Sequence, residues 1–289
     1  MTKKIVVIGS GFAGLWTAIG AKRVLDLNKS LLDDQDVEVL VVAPEPKLVI
    51  RPRLYEPNVA NMSAPLEDLF AATGVRFIQG IVHTIRTKEK EIEMVDMTGV
   101  SSKLSYNTLV LAAGSRGFTG IELATELPRR LRAILGLDTK VRVIIVERAD
   151  VVGPSLGDNV RPIITKALED VGAEVKLGAT IKSVDADGIV TTAGERIEAL
   201  SVVWTVGMEA SPLTQQIPGE KDSMGRLIVD RNLRVPSCTD VFATGDAASA
   251  RADDVGNYTL VSCQHAIPME SRIWLQRGGG SLEDRLAFL

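Results

Sequence analysis

An apolar run that stops at a glycine triplet constrains this chain more than any other feature. Ile5 to Ile8 are unbroken apolar residues, and Gly9, Gly11 and Gly14 follow as G-x-G-x-x-G. Such a run fits a parallel strand buried on both faces. Leu15, Ile19 and Val24 then recur at helical spacing. Gly9 permits the tight turn, Gly11 leaves the backbone bare for a pyrophosphate, and Gly14 lets the helix pack closely on the strand. The helix N-terminus presents free N–H groups and the positive end of its dipole to the phosphates. The stretch therefore predicts a dinucleotide site, with Gly9, Gly11, Phe12, Ala13 and Gly14 as binding candidates. The alternative is a glycine-rich turn without a ligand, and the strand before it and helix behind it weigh against that.

The 289 residues suffice for two domains, at about 100–200 residues each. Apolar residues make up 45% and charged ones 24%, so a large core can be buried. A net charge of −4 with scattered basic residues gives no electrostatic footprint for nucleic acid. The chain enters a strand within five residues, without the apolar stretch of a signal peptide. No apolar run reaches the ~18 residues that span a bilayer. Cys238 and Cys263 form no close pair for dithiol or zinc chemistry, and His83 and His265 are too few for a His-rich metal site. A reducing cytoplasm is the expected location, with both cysteines as small buried hydrophobes.

Lys29 to Asp36 is polar and reads as a loop, and Val37 to Val42 reads as the second strand. In a dinucleotide fold this strand leads to an acid that grips a ribose. Here Glu45 follows Ala43 by two residues: either it takes that role or it is a solvated turn residue. Arg51 to Asn58 is a Pro-rich loop with two arginines and Tyr55. Pro65 to Ala72 predicts a short helix. Val75 to Gln79, Ile81 to Ile85 and Glu91 to Val95 predict strands and a small antiparallel insertion. Arg51 and Val82 are the cofactor-binding candidates of this region. Tyr106 to Gly114 reads as a buried strand ending in Ala113 and Gly114, where small residues suit a ligand packed on the backbone.

Ser115 to Arg130 then echoes the second half of a glycine fingerprint. Gly117 and Gly120 stand at its second and third glycines, Ser115 at the first, and Ile121, Leu123, Ala124 and Leu127 give a helical stripe. Val141 to Glu147 is a strand ending in an acid placed for a ribose hydroxyl. Gly172 to Leu177, Ile189 to Thr192 and Val202 to Gly207 predict further strands. The block from about 117 to 215 thus reads as a second α/β unit whose own first strand is missing. The only apolar run ahead of Gly117 is Leu109 to Ala113, which the first unit already needs. Gly225 to Val235 alternates like paired strands, and Thr239 to Ala248 reads as strand, glycine and acid, then a helix start. Gly278 to Ser281 reads as a flexible linker, and Leu282 to Leu289 as a frayed end or a docking turn.

Together these residues resemble the FAD-dependent pyridine nucleotide-disulfide oxidoreductase-like flavoproteins, and within them the type II NADH dehydrogenases (NADH:quinone oxidoreductases). The resemblance rests on Gly9-x-Gly11-x-x-Gly14, Leu111-Ala112-Ala113-Gly114 and Thr244-Gly245-Asp246, and covers most of positions 3 to 270. It implies an α/β fold of two Rossmann-like dinucleotide-binding domains. The FAD domain would be discontinuous (1–115 and 223–272). An NAD(P)H-binding-like domain (116–222), lacking its first strand, would be inserted in it, and 273–289 would be a flexible tail. It implies FAD held by the first fingerprint, Ala113, Gly114, Gly245 and Asp246, whose acid would bind the ribityl chain or else merely cap a helix. It implies NAD(P)H held by Gly117, Gly120, Glu147 and Gly207, with Glu147 favouring NADH and Arg148 opposing that preference.

Glu122 would sit near the flavin–nicotinamide contact, or serve only the helix dipole. Gln264, His265 and Ala266 match a segment laid against the flavin ring and the quinone. His265 is either a proton donor there or a structural histidine, and Glu122, Gln264 and His265 are the catalytic candidates. The implied activity is hydride transfer from NAD(P)H through flavin to a quinone or another small acceptor near Tyr55 and Gln264. A homodimer is an implied assembly. The family's membrane attachment does not carry over, because the C-terminal region it uses has no match after about residue 270. Two rival readings stand beside this: an FAD-binding protein with impaired or lost NAD(P)H turnover, and a flavoenzyme acting on a metabolite without nicotinamide.

Overall fold

The computed structural model describes residues 2–29, 36–50, 62–116, 120–154, 159, 161–205, 207–253, 255–259, 261, 266 and 269. These divide into two compact units. The described residues of Met1–Ile50, Asn61–Arg116 and Met208–Leu289 form the first, and those of Gly117–Gly207 form the second. The stretch 208–222, assigned to the inserted domain on sequence, groups with the first unit.

The first unit opens with β1 (Lys3–Ile8), α1 (Phe12–Leu27) and β2 (Val37–Ala43). Ile5 to Ile8 and Val39 to Ala43 are buried, as expected of strands covered on both faces. Ala13, Ala18 and Ala21 on the buried side of α1 are small enough to bring the helix axis close to the sheet. The helix stops at Asn28, whose side-chain amide donates to the Val24 carbonyl at 2.8 Å. A small hairpin of β3 (Lys47–Val49) and β4 (Ser63–Pro65) follows. Then comes α2 (Glu67–Thr73), with Glu67 and Asp68 at its positive end and Gly74 closing it at φ 70°. The next strand is β5 (Arg76–Gln79), where Phe77 stacks on Phe70 at 5.7 Å between ring centroids.

The expected antiparallel insertion is a meander of β6 (Ile81–Arg86), β7 (Glu91–Val95) and β8 (Ser101–Ser105). Val82, Ile85, Ile92 and Met94 face the core, while Arg86, Glu93 and Lys103 pair on the other face. After β9 (Thr108–Leu111) and β10 (Ser115–Arg116) the chain enters the second unit.

There it forms α3 (Gly120–Leu135), β11 (Ile144–Val146), α4 (Arg161–Val171) and β12 (Glu174–Lys176). A meander of β13 (Ile181–Asp185), β14 (Gly188–Thr191) and β15 (Arg196–Glu198) completes it. Back in the first unit lie β16 (Glu209–Ala210), β17 (Leu227–Ile228), β18 (Arg234–Val235), β19 (Cys238–Ala243) and β20 (Ala248–Ser249).

The main sheet of the first unit runs β18-β19-β9-β1-β2-β5. Its strands are parallel except β18, which is antiparallel to β19. The chain leaves β1 toward β2 on one side and reaches β9 on the other. The β1/β9 boundary is therefore a topological switch point, where open α/β sheets bind ligands beyond their carboxyl ends.

Gly225 to Val235 holds two paired strands, β17 and β18, joined by a turn in which the Asp230 N–H donates to the Arg234 carbonyl at 2.9 Å; their partners, β20 and β19, lie elsewhere in the chain. Two expectations are corrected. Beyond Gly245 the described chain makes one 3-10 turn, Gly245–Ala247, and then β20, rather than a helix start. A strand was expected at Val202 to Gly207, but the described residues 201–205 and 207 lie outside any strand, with Val202, Val203 and Trp204 exposed. Strand order explains the last point. Leu109 to Leu111 pair with β1 on one side and β19 on the other, so no edge of β9 is left for the second unit. Among the described residues, β11 and β12 alone form that unit's parallel sheet. Its core holds buried Ala124, Val152 and Leu168, with Ile121, Val143, Ile145 and Val175 packed against them.

Candidate functional site

The carboxyl ends of β1, β2, β9 and β19 converge at the switch point. Gly9 ends β1 at φ 108°, in the left-handed region; a Cβ there would lie 2.4 Å from the Ala112 carbonyl oxygen beyond β9. A Cβ on Gly14 would lie 2.0 Å from the Gly9 carbonyl oxygen, so α1 sits as close to the strand end as a bare backbone permits. Gly11 is different. It is the N-cap of α1 at φ −68°, with no side-chain cap on the helix, and a Cβ there would meet nothing within 4 Å. The first turn of α1 carries no acid. An open backbone, uncapped N–H groups and the positive dipole end form a place for an anion.

The neighbouring loops are tied to this turn. The Ser10 hydroxyl donates to the Glu45 and Lys47 carbonyls, both at 3.2 Å, which fixes the loop after β2 beside the glycine turn. Ser10 was not singled out on sequence; its position between Gly9 and Gly11 was the available signal. The Glu45 carboxylate is half exposed and pairs with the Lys47 ammonium at 3.0 Å. Val82 is buried on β6, and the Gly80 N–H just before that strand donates to the Ala43 carbonyl at 3.0 Å. Glu45 and Val82 thus both follow from the carboxyl end of β2.

On the other side, the Thr244 N–H donates to the Leu111 carbonyl at 3.0 Å, locking the end of β19 to β9. Gly245 has φ 61°, and a Cβ on it would lie 2.8 Å from the Ala13 Cβ and 3.8 Å from the Ala266 Cβ. The turn carrying Asp246 therefore rests against the start of α1 and the buried Ala266. The Ser115 hydroxyl donates to the Asp246 carboxylate at 2.9 Å. Gly114, at φ 72°, accepts a hydrogen bond from the Ser211 N–H at 3.0 Å. Ser115, at the first position of the second fingerprint in the sequence, belongs in the structure to the first unit and donates to Asp246.

Gly9, Gly11, Phe12, Ala13, Gly14, Glu45, Val82, Ala113, Gly114, Gly245, Asp246 and Ala266 thus all belong to the first unit. Gly120, Glu122, Glu147 and Gly207 belong to the second. Gly120 starts α3, where a Cβ would lie 2.6 Å from the Thr205 hydroxyl oxygen. Glu122 is exposed in the first turn of α3. Glu147 follows β11, and its carboxylate accepts the Ala149 N–H at 2.9 Å, so it braces its own turn. Gly207 has φ 72° with open space around it. Arg51, Tyr55, Gly117, Cys263, Gln264, His265 and the 278–289 tail lie outside the described residues.

Among the described residues no helix is long and apolar enough to cross a membrane.

Comparison with known proteins identifies the family. The family model for pyridine nucleotide-disulphide oxidoreductases matches residues 3–118 and 116–269. An NADH dehydrogenase-like protein of Mycobacterium tuberculosis is 35% identical over 317 residues, covering 92% of this chain and 78% of the relative. A type II NADH:quinone oxidoreductase of Staphylococcus epidermidis is 32% identical over 338 residues, covering 96% and 80%. Among solved structures, NDH2 from Plasmodium falciparum in complex with NADH shares the fold at a TM-score of 0.70 and 14% identity, covering 86% of this chain and 65% of that one. This chain is an oxidoreductase with a Rossmann-type fold, and it belongs to the pyridine nucleotide-disulphide oxidoreductase family.

Proposed function

We propose that this chain binds FAD in its first unit and uses it to carry electrons from NADH to a quinone or another small acceptor. The observation that carries the reading is the open position at Gly11. It lies at an uncapped helix start, between two glycines whose Cβ atoms would strike backbone. The residues fit the group. The N–H groups at the start of α1 would hold the pyrophosphate, Glu45 the adenosine ribose, and Asp246, oriented by Ser115, the ribityl hydroxyls. Ala113 and Gly114 would leave room for the ring system. Bound FAD supplies acceptance of a hydride and its release as electrons; the protein contributes binding, orientation and exclusion of water. The names of the relatives support NADH as donor and quinone as acceptor. In the second unit, Gly120 and Gly207 would shape the nicotinamide nucleotide cradle with Gly117, and Glu147 would face its ribose. Gln264 and His265 are proposed beside the acceptor, and Glu122 beside the donor.

The test is flavin uptake by the purified chain, followed by anaerobic titration with NADH and then a quinone. Flavin absorbance that NADH bleaches and quinone restores is expected; a chain that takes up no FAD overturns the reading. A second reading is favoured by the second unit's parallel sheet, which has two strands among the described residues, and by segment 201–205 lying in no strand. It is an FAD-binding chain with impaired NADH turnover, which would hold flavin that NADH bleaches slowly or not at all.

A further inference from the structure

Among the described residues, Arg226 is the one charged residue buried in the interior, at 6% exposure. It stands just before β17, and its guanidinium reaches in three directions. Its Nε donates to the Asp222 carboxylate at 2.6 Å, and one terminal nitrogen donates to the Thr259 carbonyl at 2.6 Å. The other terminal nitrogen lies 3.5 Å from the Ser249 hydroxyl oxygen. Asp222 is fixed by its own loop, since its carboxylate accepts the Met224 N–H at 3.0 Å and the Arg226 N–H at 2.9 Å.

These contacts join three passes of the chain, all in the first unit. The first is the turn from Asp222 into β17. The second is β20, parallel to β17 in the register Leu227 to Ala248 and Ile228 to Ser249. The third is the return at Thr259, whose N–H donates to the Ala250 carbonyl at 2.8 Å and whose hydroxyl accepts the Ala250 N–H at 3.3 Å. The guanidinium therefore spans β20 from its partner β17 to the return segment.

β20 starts two residues after Asp246. On one side, the Asp246 carboxylate is met by the Ser115 hydroxyl at 2.9 Å. On the other, the turn continues straight into β20, so the lie of β20 sets the lie of the turn. The ladder between β17 and β20 is two residues long, and short two-stranded ribbons are marginal without further support. Arg226 supplies that support.

Stability alone does not account for a cation here. Apolar groups of similar volume in place of a buried ion pair are often neutral or stabilising. What a guanidinium adds is a planar fork of donors in fixed directions. It fixes where β20 lies, not how strongly the unit folds.

The structure assigns Arg226 as a positioning residue of the flavin site. It holds β20, and through β20 the Asp246 turn, where the Asp246 carboxylate meets the ribityl hydroxyls. It acts through the backbone and not on the ligand. The part concerning the ribityl chain rests on the proposed FAD reading; the hold on the turn does not.

The test removes the fork without stranding a charge. Asp222→Asn combined with Arg226→Met keeps an acceptor for the N–H groups of residues 224 and 226 and leaves no buried ion. The urea midpoint is expected to hold. Amide exchange at 246–250 in the full flavin-free chain is expected to quicken by about tenfold or more, with exchange at 5–8 and 109–111 unchanged. FAD affinity, followed by flavin fluorescence, is expected to fall by about tenfold. Arg226→Lys keeps a cation beside Asp222 without the fork, and is expected to hold the midpoint while restoring neither readout. Exchange and affinity in the double variant equal to those of the unaltered chain overturn the inference. So does exchange that quickens at 5–8 and 109–111 as much as at 246–250 with a lowered midpoint, which is a role in stability alone. Full recovery in Arg226→Lys also overturns it, because charge without the fork then suffices. A chain that takes up no FAD defeats the proposed activity, while the exchange readout still decides whether Arg226 holds the turn.

Discussion

Gly11 and Gly14 are three residues apart in one turn, yet they answer substitution differently. In Gly11→Ala the new methyl meets nothing within 4 Å, and φ −68° is ordinary for alanine. The loss of backbone freedom in the unfolded chain and the poorer N-cap offset each other to within about 1 kcal/mol. The methyl does occupy the space through which a pyrophosphate would reach the N–H groups of α1. Losing one charge-assisted hydrogen bond costs about 1.5–3 kcal/mol, which is roughly 10- to 100-fold in Kd. Gly14→Ala places its methyl 2.0 Å from the Gly9 carbonyl oxygen. The helix must lift off the sheet, at about 1–3 kcal/mol or more. The assay pairs urea unfolding of the flavin-free protein with FAD titration followed by flavin fluorescence. Gly11→Ala should keep its urea midpoint and lose affinity, while Gly14→Ala should lose its midpoint. Unchanged FAD affinity in Gly11→Ala, or equal loss of stability in both variants, would refute the assignment of Gly11 to ligand and Gly14 to packing.

Ser115→Ala removes the 2.9 Å donor to Asp246 and should weaken FAD binding by about 1 kcal/mol, roughly fivefold; an unaltered Kd in the same titration would count against it. Arg226 is buried, donating to the Asp222 carboxylate and to the Thr259 carbonyl, each at 2.6 Å. Burial pushes the Asp222 carboxyl up, but the Arg226 side chain together with the Arg226 and Met224 N–H groups outweighs it, and the group stays below its ordinary range. A depressed folded value means that its stabilisation is complete above the unfolded value, ~3.9, and fades as pH falls through the folded one. Arg226→Met should therefore cost about 3–5 kcal/mol near neutrality and much less in acid, where the stranded carboxyl protonates; equal urea penalties at both pH values would sink this. The Tyr106 hydroxyl is buried with no hydrogen-bond partner among the described residues, and burial raises its pKa. Tyr106→Phe should be neutral or stabilise by about 1 kcal/mol, seen as an unchanged or higher Tm.

The central strand and its glycine turn were legible because their signal is local. Ile5 to Ile8 and Gly9 to Gly14 state strand, turn and helix within twelve residues, and β2 and β9 read the same way. Pairing was legible only in part, because a strand's partners lie far along the chain. Leu227 and Val235 alternate as strand residues do, but nothing local says that one pairs with β20 and the other with β19. Val202 to Trp204 have strand composition, yet they form no strand, because a strand needs a partner that local sequence does not specify. The Ser115–Asp246 contact joins residues far apart in sequence, and an isolated serine carries no signal for it.

The position of β19 between β9 and β18 also governs how this protein can be made. Leu109, Val110 and Leu111 are fully buried in the finished sheet, but their outer edge is covered only by Val241, Phe242 and Ala243. During synthesis the whole second unit emerges first. At about 5–20 residues per second, the β9 edge waits on the order of ten seconds for its partner. Over that interval the nascent chain displays an apolar strand edge with the geometry that recruits other strands. Slow translation through the second unit lengthens the exposure, and a chaperone that shields β9 shortens it. The edge of β9 is thus the part of the sheet whose protection depends on the arrival of residues 238–243.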